Sequence, residues 1–247
     1  MQRKTLICGA TSAIAAEVAA LCAARGDRLY LIGRDPEKLA ALQARCGDAV
    51  IGAVAADLNE LDQAGPRVAA AIAALGGCDR ALIAHGYLGD QLRTERDVDY
   101  ARLTVDTNFV SAVALLMPLA AHFEQQGGGH LAAITSVAGV RGRPRNYTYG
   151  ASKAALSCYL QGVRSRLHPS GARVHDLKLG PVETPMSEGH PQNALWGEKV
   201  QVARGIVRAM EGRRHCVFLP PSWRWVMAVV RSLPEFVFQR FGFLAGR

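Results

Sequence analysis

The six cysteines of this chain, at positions 8, 22, 46, 78, 158 and 216, stand singly, with no C-x-x-C pair and no spacing that would close around a metal. That absence excludes a zinc cluster and a disulfide framework. Several of the six lie in apolar runs, where a thiol serves as a small core residue, so reduced thiols and no metal are expected. Lysine is as scarce, five residues against 24 arginines, although the formal net charge is +8. Such a balance suits nucleic acid, an anionic membrane surface or an anionic substrate. The chain has no basic stripe interleaved with aromatics and no nucleic-acid motif, which removes the first of these. It shows no internal repeat and no low-complexity segment. No basic, apolar, cleavable run precedes the strand-like Thr5-Leu6-Ile7-Cys8, and a cytoplasmic protein is the expectation.

What is present is an ordinary globular composition, 49% hydrophobic and 20% charged over 247 residues, enough for one large α/β domain with a buried core. Short apolar runs at 5–8, 29–32, 50–55, 81–84, 131–135, 174–179 and 216–219 read as strands. Helical periodicity fills 14–25, 36–45, 66–75, 98–124, 148–166 and 199–210. Strand and helix in alternation imply about seven parallel strands with helices on both faces, a Rossmann-like doubly wound sheet over residues 1–220. Residues 221–247 form an extension of the same domain. Ligands of such sheets bind at the carboxyl ends of the strands.

Chemistry concentrates in Tyr149-Gly150-Ala151-Ser152-Lys153, with Ser136 and Asn108 upstream. A Tyr and a Lys at i and i+4 share a helix face, so the ammonium can stabilise the phenolate and draw the Tyr pKa down toward the working range. Ser136 can hydrogen-bond the oxygen that changes charge. Asn108 can hold a water that links the Lys to solvent.

The first strand runs into Gly9-Ala10-Thr11-Ser12-Ala13-Ile14-Ala15, small residues that let the backbone approach a pyrophosphate at a helix N-terminus. The alternative for this stretch alone is a structural turn. Gly33 stands at the end of the second strand, where a carboxylate would accept from an adenosine 2′-hydroxyl, and Arg34 follows with a fork suited to a 2′-phosphate. NADPH is therefore expected over NADH, the alternative being a solvated Arg34. Asp57 can accept from an adenine amino group or cap the next helix.

Together these residues resemble the short-chain dehydrogenase/reductase family over roughly residues 4–220. The matching elements are the G-A-T-S-A-I-A turn, Asp57, Asn108, T-S-V-A-G with Ser136, Y-G-A-S-K, and G-P-V-E-T-P-M from Gly180 to Met186. The resemblance implies that Tyr149 is the general acid/base, Ser136 stabilises the substrate oxygen, Lys153 binds the nicotinamide ribose, and Asn108 orders a water chain. For the cofactor it implies Gly9, Thr11, Ser12, Ala13 and Ile14 at the pyrophosphate, and Arg34, Asp57 and Leu58 at the adenosine. His85, Gly86, Tyr149, Lys153, Gly180, Val182 and Thr184 fall at the nicotinamide end. Three segments depart from the family pattern: Ala13 and Ala15 replace glycines, Ala84-His85-Gly86 replaces N-A-G, and Leu179-Gly180-Pro181 replaces Pro-Gly. His85 reads as a structural or ribose-proximal residue, because Tyr149 already supplies the proton.

Within the family the chain is similar to the reductases of decaprenylphosphoryl 2-keto-erythro-pentose, which act beside an oxidase. Gly86-Tyr87-Leu88-Gly89-Asp90, the stretch 140–145 and the tail from Pro220 carry that similarity. Arg141, Arg143 and Arg145 either hold a substrate phosphate or form a solvated loop. In the tail, Trp223, Trp225, Val226, Val229, Val230 and Leu233 leave Arg224, Ala228, Arg231 and Ser232 on a polar face, and Pro234 breaks the helix. Neither half reaches the roughly 20 residues needed to span a bilayer. The tail meets a membrane surface or polyprenyl chain, covers its own cleft, or seals a homo-oligomer. Three functions follow in order: an NADPH-dependent reductase of a lipid-linked keto-sugar, a soluble reductase of a small neutral ketone, and a non-catalytic cofactor sensor.

Overall fold

The computed structural model describes residues 2–184 and 195–240. Pro185 and Met186 of the G-P-V-E-T-P-M motif, and the end of the tail from 241, lie outside the described residues.

Seven parallel strands build one sheet: β1 (Lys4–Cys8), β2 (Arg28–Gly33), β3 (Val50–Ala55), β4 (Arg80–Ile83), β5 (His130–Ser136), β6 (Arg173–Leu179) and β7 (Cys216–Leu219). Their order is β3-β2-β1-β4-β5-β6-β7, so the winding reverses between β1 and β4. The helices are α1 (Ala13–Ala23), α2 (Pro36–Cys46), α3 (Ala64–Leu75), α4 (Gln91–Thr94), α5 (Val98–Val105), α6 (Ser111–Gln126), α7 (Tyr147–Leu167), α8 (Lys199–Ala209), α9 (Trp223–Ser232) and α10 (Glu235–Arg240).

Period-two alternation assigns the strand side chains to two cores. Leu6, Cys8, Ile83 and Leu131 face α3, α6 and α7, where Val68, Leu115, Phe123, Leu156 and Leu160 close over them. Ile7, Leu29, Leu31, Leu82 and Leu177 face α1, α2 and α8. Each fully buried Leu, Ile or Phe contributes about 1.5–3 kcal/mol, which is why strands covered on both faces read as continuous apolar runs.

Two features differ from the sequence reading. A single turn, α4, starts at Asp90, whose side chain accepts from Leu92 N–H at 2.9 Å and Arg93 N–H at 3.4 Å. The long helix expected over 98–124 is split by a turn of π-helix, Asp106–Val110, with Asn108 buried in it. From Val98 to Gln126 the stretch is long and apolar enough to cross a bilayer by length and composition alone, but α6 packs its apolar side against α3 and α7 in the core.

Candidate active site

Ser136, Tyr149 and Lys153 converge because two glycines let a loop touch a helix. A methyl group at Gly150 would lie 2.7 Å from the Ala138 carbonyl oxygen, and one at Gly139 would lie 2.7 Å from the Ala154 nitrogen. With hydrogens at both positions, the turn after β5 sits directly on α7. Ser136 closes β5, accepts from Ala138 N–H at 3.1 Å and donates to the Leu179 carbonyl at 3.3 Å. Its hydroxyl also hydrogen-bonds the Tyr149 phenol. Lys153 is buried, donates to the Ile134 carbonyl at 3.2 Å, and holds its Nζ 5.9 Å from the centroid of the Tyr149 ring.

The electrostatics correct one expectation. Burial pushes the Tyr149 phenol up to about 12, with the Ser136 hydrogen bond acting in the opposite direction. Lys153 is brought down to about 8 by its own burial, against the pull of the Asp176 carboxylate. Desolvation dominates at both groups, and the phenol is protonated at neutral pH while Lys153 is still largely charged. A pair in these states can give a proton to a nascent alkoxide and then stabilise the phenolate left behind.

Asn108 is fixed by three side-chain hydrogen bonds. Its Nδ2 donates to the Tyr87 carbonyl at 2.6 Å and the Thr104 carbonyl at 2.8 Å, and its Oδ1 accepts from Tyr87 N–H at 2.9 Å. The side chain clamps the segment after β4 onto the π turn. Its Oδ1 and the Lys153 Nζ flank Gly86, where an added methyl would lie 2.9 and 3.2 Å from them. All four residues therefore meet at the carboxyl ends of β4 and β5.

The dinucleotide end is built from β1 into α1. Gly9 has φ +82°, and a methyl there would lie 2.5 Å from the His85 nitrogen, so only glycine fits. Its N–H and that of Ala10 both donate to the Ile32 carbonyl at 2.8 Å, tying the turn to β2. Ser12 caps α1 through Ala15 N–H at 3.3 Å. The Ala13 and Ile14 amides open the helix, and its first turn holds no acid. Amides at that position have no partner within the helix, so this cradle fits a pyrophosphate. Gly33 is buried against Thr11, whose Cγ2 would lie 2.6 Å from a methyl added at 33. Packing thus removes the carboxylate that would accept from a 2′-hydroxyl. Arg34 is exposed beside it.

The pattern of the family described as short chain dehydrogenase matches residues 3–194. The chain belongs to the short-chain dehydrogenase family. An uncharacterized oxidoreductase of Mycobacterium tuberculosis is 36% identical over 240 residues, covering 95% of this chain and 95% of the relative. One of Streptomyces coelicolor is 34% identical over 247 residues, covering 96% of this chain and 95% of its own. Among solved structures, a 3-ketoacyl-(acyl-carrier-protein) reductase from Brucella melitensis complexed with NADH superposes with a TM-score of 0.79 at 21% identity, over 87% of this chain and 95% of that one. Levodione reductase gives 0.77 at 23% identity, over 84% and 90%. As a short-chain dehydrogenase this protein is an NAD(P)-dependent oxidoreductase, and its fold binds a nicotinamide cofactor.

The departures from the family pattern have physical reasons. His85 bonds Ser111 Oγ through Nε2 at 2.7 Å, and that hydroxyl donates onward to the Thr107 carbonyl at 2.8 Å. The ring must therefore donate from Nε2, leaving Nδ1 as a covered acceptor with no partner. Burial pulls the imidazole down to about 3, so it stays neutral. His85 ties the segment after β4 to α6. Asp57 accepts from Asn59 N–H at 2.9 Å, stabilising its own turn, and Leu58 is buried beside it. At Gly180 the indole of Trp223 occupies the space a side chain would need, 2.2 Å from an added methyl, and donates to the Leu195 carbonyl at 2.9 Å. Val182 pairs with Gly197 in a short bridge, and Thr184 donates to the Val182 carbonyl at 3.4 Å.

The three loop arginines separate. Arg141 is engaged within the chain: its guanidinium donates to the Val230 and Leu233 carbonyls at 2.6 Å each, pairs with Glu235 at 2.7 Å, and lies 4.0 Å from the Phe238 centroid. It caps α9 and pins α10. Arg145 is exposed and Arg143 is half-buried. The tail's apolar surface is divided as well. Trp223 and Met227 are buried against Val137, next to Ser136, with Val226 and Val230 alongside. Trp225, Val229 and Phe236 are exposed at 69%, 61% and 69%. Periodicity marked the amphipathic helix, but no sequence signal identified Trp223 as a wall of the site.

Proposed function

We propose that the protein is an NADPH-dependent reductase that converts a ketone on a polyprenyl-phosphate-linked sugar into a secondary alcohol. The observation that carries the reductase reading is the buried Ser136, Tyr149 and Lys153 group with a protonated phenol. When bound, the nicotinamide supplies the hydride. Ser136 and the Tyr149 hydroxyl hold the carbonyl oxygen, and Tyr149 releases its proton to that oxygen as charge develops. Lys153 then neutralises the phenolate. Asn108, through its clamp on Tyr87, keeps the segment beside Lys153 in place. Arg34 and the missing carboxylate at Gly33 support a 2′-phosphate on the cofactor.

The lipid-linked substrate is supported by α9. Its inner side walls the site, while its Trp225 and Val229, with Phe236 of α10, face outward among Arg224, Arg231 and Arg240, a composition suited to an anionic membrane interface. An oxidase that generates the ketone, and a second copy of this chain, are the partners this reading expects. A soluble reductase of a small neutral ketone is favoured instead by the extent to which the tail is embedded in the fold.

One experiment separates them. Full-length protein should co-sediment with anionic vesicles, and a Trp225→Ser, Val229→Ser, Phe236→Ser variant should not, while both oxidise NADPH with a short ketone at similar rates. Tyr149→Phe should abolish that oxidation and still bind NADPH. No vesicle binding by the wild type would leave the soluble reductase, and an active Phe variant would remove the mechanism.

A further inference from the structure

Beneath the catalytic helix lies a buried ion pair that the proton transfer from Tyr149 does not use. Asp176 and Lys178 share the side of β6 that faces α7, and their charged groups meet at 2.8 Å. The other oxygen of the Asp176 carboxylate accepts from the Thr135 hydroxyl on β5, and the Lys178 ammonium donates onward to Ser157 Oγ on α7 at 2.7 Å. The pair thus joins two strands to the helix that carries Tyr149. On that helix Tyr149, Lys153 and Ser157 fall at i, i+4 and i+8, one stripe down the face that meets the sheet. Lys153 reaches the carbonyl of Ile134, the residue before Thr135. One turn of helix and one step of strand therefore separate the catalytic ammonium from the buried carboxylate. The other groups around Lys153 supply no counter-charge. Tyr149 is a protonated phenol, Ser136, the Ile134 carbonyl and Asn108 carry no charge, and His85 after β4 is a neutral imidazole. Lys178 is a second cation, and Cys216 on β7, in register with Asp176, is a thiol that burial keeps protonated. Among the described residues Asp176 is the one carboxylate acting on the Lys153 ammonium.

We propose that Asp176 is a positioning residue for the reaction: fixed by Thr135 and Lys178, it keeps Lys153 in its charged form beside the Tyr149 phenol. The inference rests on the reductase reading and adds to it a residue that touches neither substrate nor cofactor. Thr135 and Lys178 each hold one carboxylate oxygen, so the carboxylate stays in place and Lys153 remains directed at the Ile134 carbonyl. A buried ammonium needs an opposite charge to offset its lost hydration, and here that charge acts through space. Without the carboxylate, Lys153 gives up its proton at lower pH. Without Lys178, the carboxylate acts on Lys153 undivided, and the proton is held to higher pH. The two members of one ion pair thus move the catalytic lysine in opposite directions.

The test reads Lys153 directly. The chain has five lysines, so full-length protein labelled with carbon-13 at lysine Cε gives five resonances, and the one missing from Lys153→Met belongs to Lys153. Its titration midpoint should lie near 8 in the wild type, fall by about one pH unit in Asp176→Asn, and rise in Lys178→Met. The alkaline limb of the kcat profile for reduction of a short ketone by NADPH should move with the midpoint in each variant. A pair that serves stability alone would lower the melting temperature of both variants and move neither titration. Should Asp176→Asn fail to fold, the upward shift in Lys178→Met carries the test. Midpoints that stay put, or that move the same way in both variants, would overturn the proposal, as would midpoints that move while the rate limb does not. Absence of NADPH oxidation by the wild type would instead sink the reductase reading, and the Lys153 resonance would still report the pull of Asp176.

Discussion

Replacing Lys153 by Met should stabilise the cofactor-free protein near neutral pH while destroying activity, and the gain should shrink as the pH rises. Burial lowers the Lys153 pKa from its ordinary 10.5 to about 8. Below pH 8 both folded and unfolded chains carry the proton, and the folded state bears the full cost of a desolvated ammonium. Between 8 and 10.5 the unfolded chain binds more protons than the folded one, so wild-type stability rises with pH. At 1.36 kcal/mol per unit, the penalty is about 3 kcal/mol at pH 7 and about 1 kcal/mol at pH 9.5. Methionine carries no charge and has no such slope. The difference in unfolding free energy between Lys153→Met and wild type should therefore fall by about 2 kcal/mol from pH 7 to 9.5. The lost bond to the Ile134 carbonyl lowers the variant by a constant amount and does not alter that difference. Asp176 keeps its partner Lys178 at 2.8 Å, and His85 is neutral throughout and adds no titration of its own in this window. Urea melts of both proteins at the two pH values measure it. A pH-independent difference, or one that grows with pH, would refute the reasoning.

Three further outcomes are expected. The rate of ketone reduction should fall as pH rises through about 8, because Lys153 loses the charge that stabilises the phenolate, and a kcat profile flat to pH 9.5 would contradict this. Arg34→Ala should narrow the preference for NADPH over NADH by about tenfold or more, read from fluorescence titrations, and equal wild-type affinities would remove the basis for it. Trp223→Ala should cost about 3–5 kcal/mol and loosen cofactor binding through Gly180, whereas Trp225→Ala, two residues away and exposed, should stay within about 0.5 kcal/mol. Denaturant melts with matched cofactor titrations distinguish the two indoles.

The seven strands were legible because each is covered on both faces, so their apolar runs stand out between turn residues. The Tyr149, Lys153, Ser136 and Asn108 spacing was legible for a related reason: the helix period and the strand ends place them without further information. What could not be read depends on contacts between distant segments. Helix α4 is one turn, too short to show a period, and the π turn at 106–110 leaves the apolar pattern of its flanks intact. Spacing placed the ammonium near the phenol, but the depth of burial that sets both pKa values belongs to the fold. In α9 apolar residues occupy both sides, so only packing shows that Trp223 and Met227 are inside while Trp225 and Val229 are outside. Arg141 and Arg143 are two residues apart on one loop, and nothing in their sequence distinguishes a cap for α9 from a half-buried cation.

The contact between Gly33 and Thr11 makes cofactor preference a property of two positions rather than one. An engineer who wished to favour NADH would place an acid at 33, at the end of β2, and the new side chain would collide with the Thr11 methyl before it reached a ribose. Thr11 is β-branched and stiff, so it has few rotamers into which to retreat. Trimming Thr11 alone would leave a void and no acceptor, and introducing the acid alone would displace the turn that cradles the pyrophosphate. The two changes are each harmful singly and useful only together, so a search that accepts one substitution at a time would not find the switch.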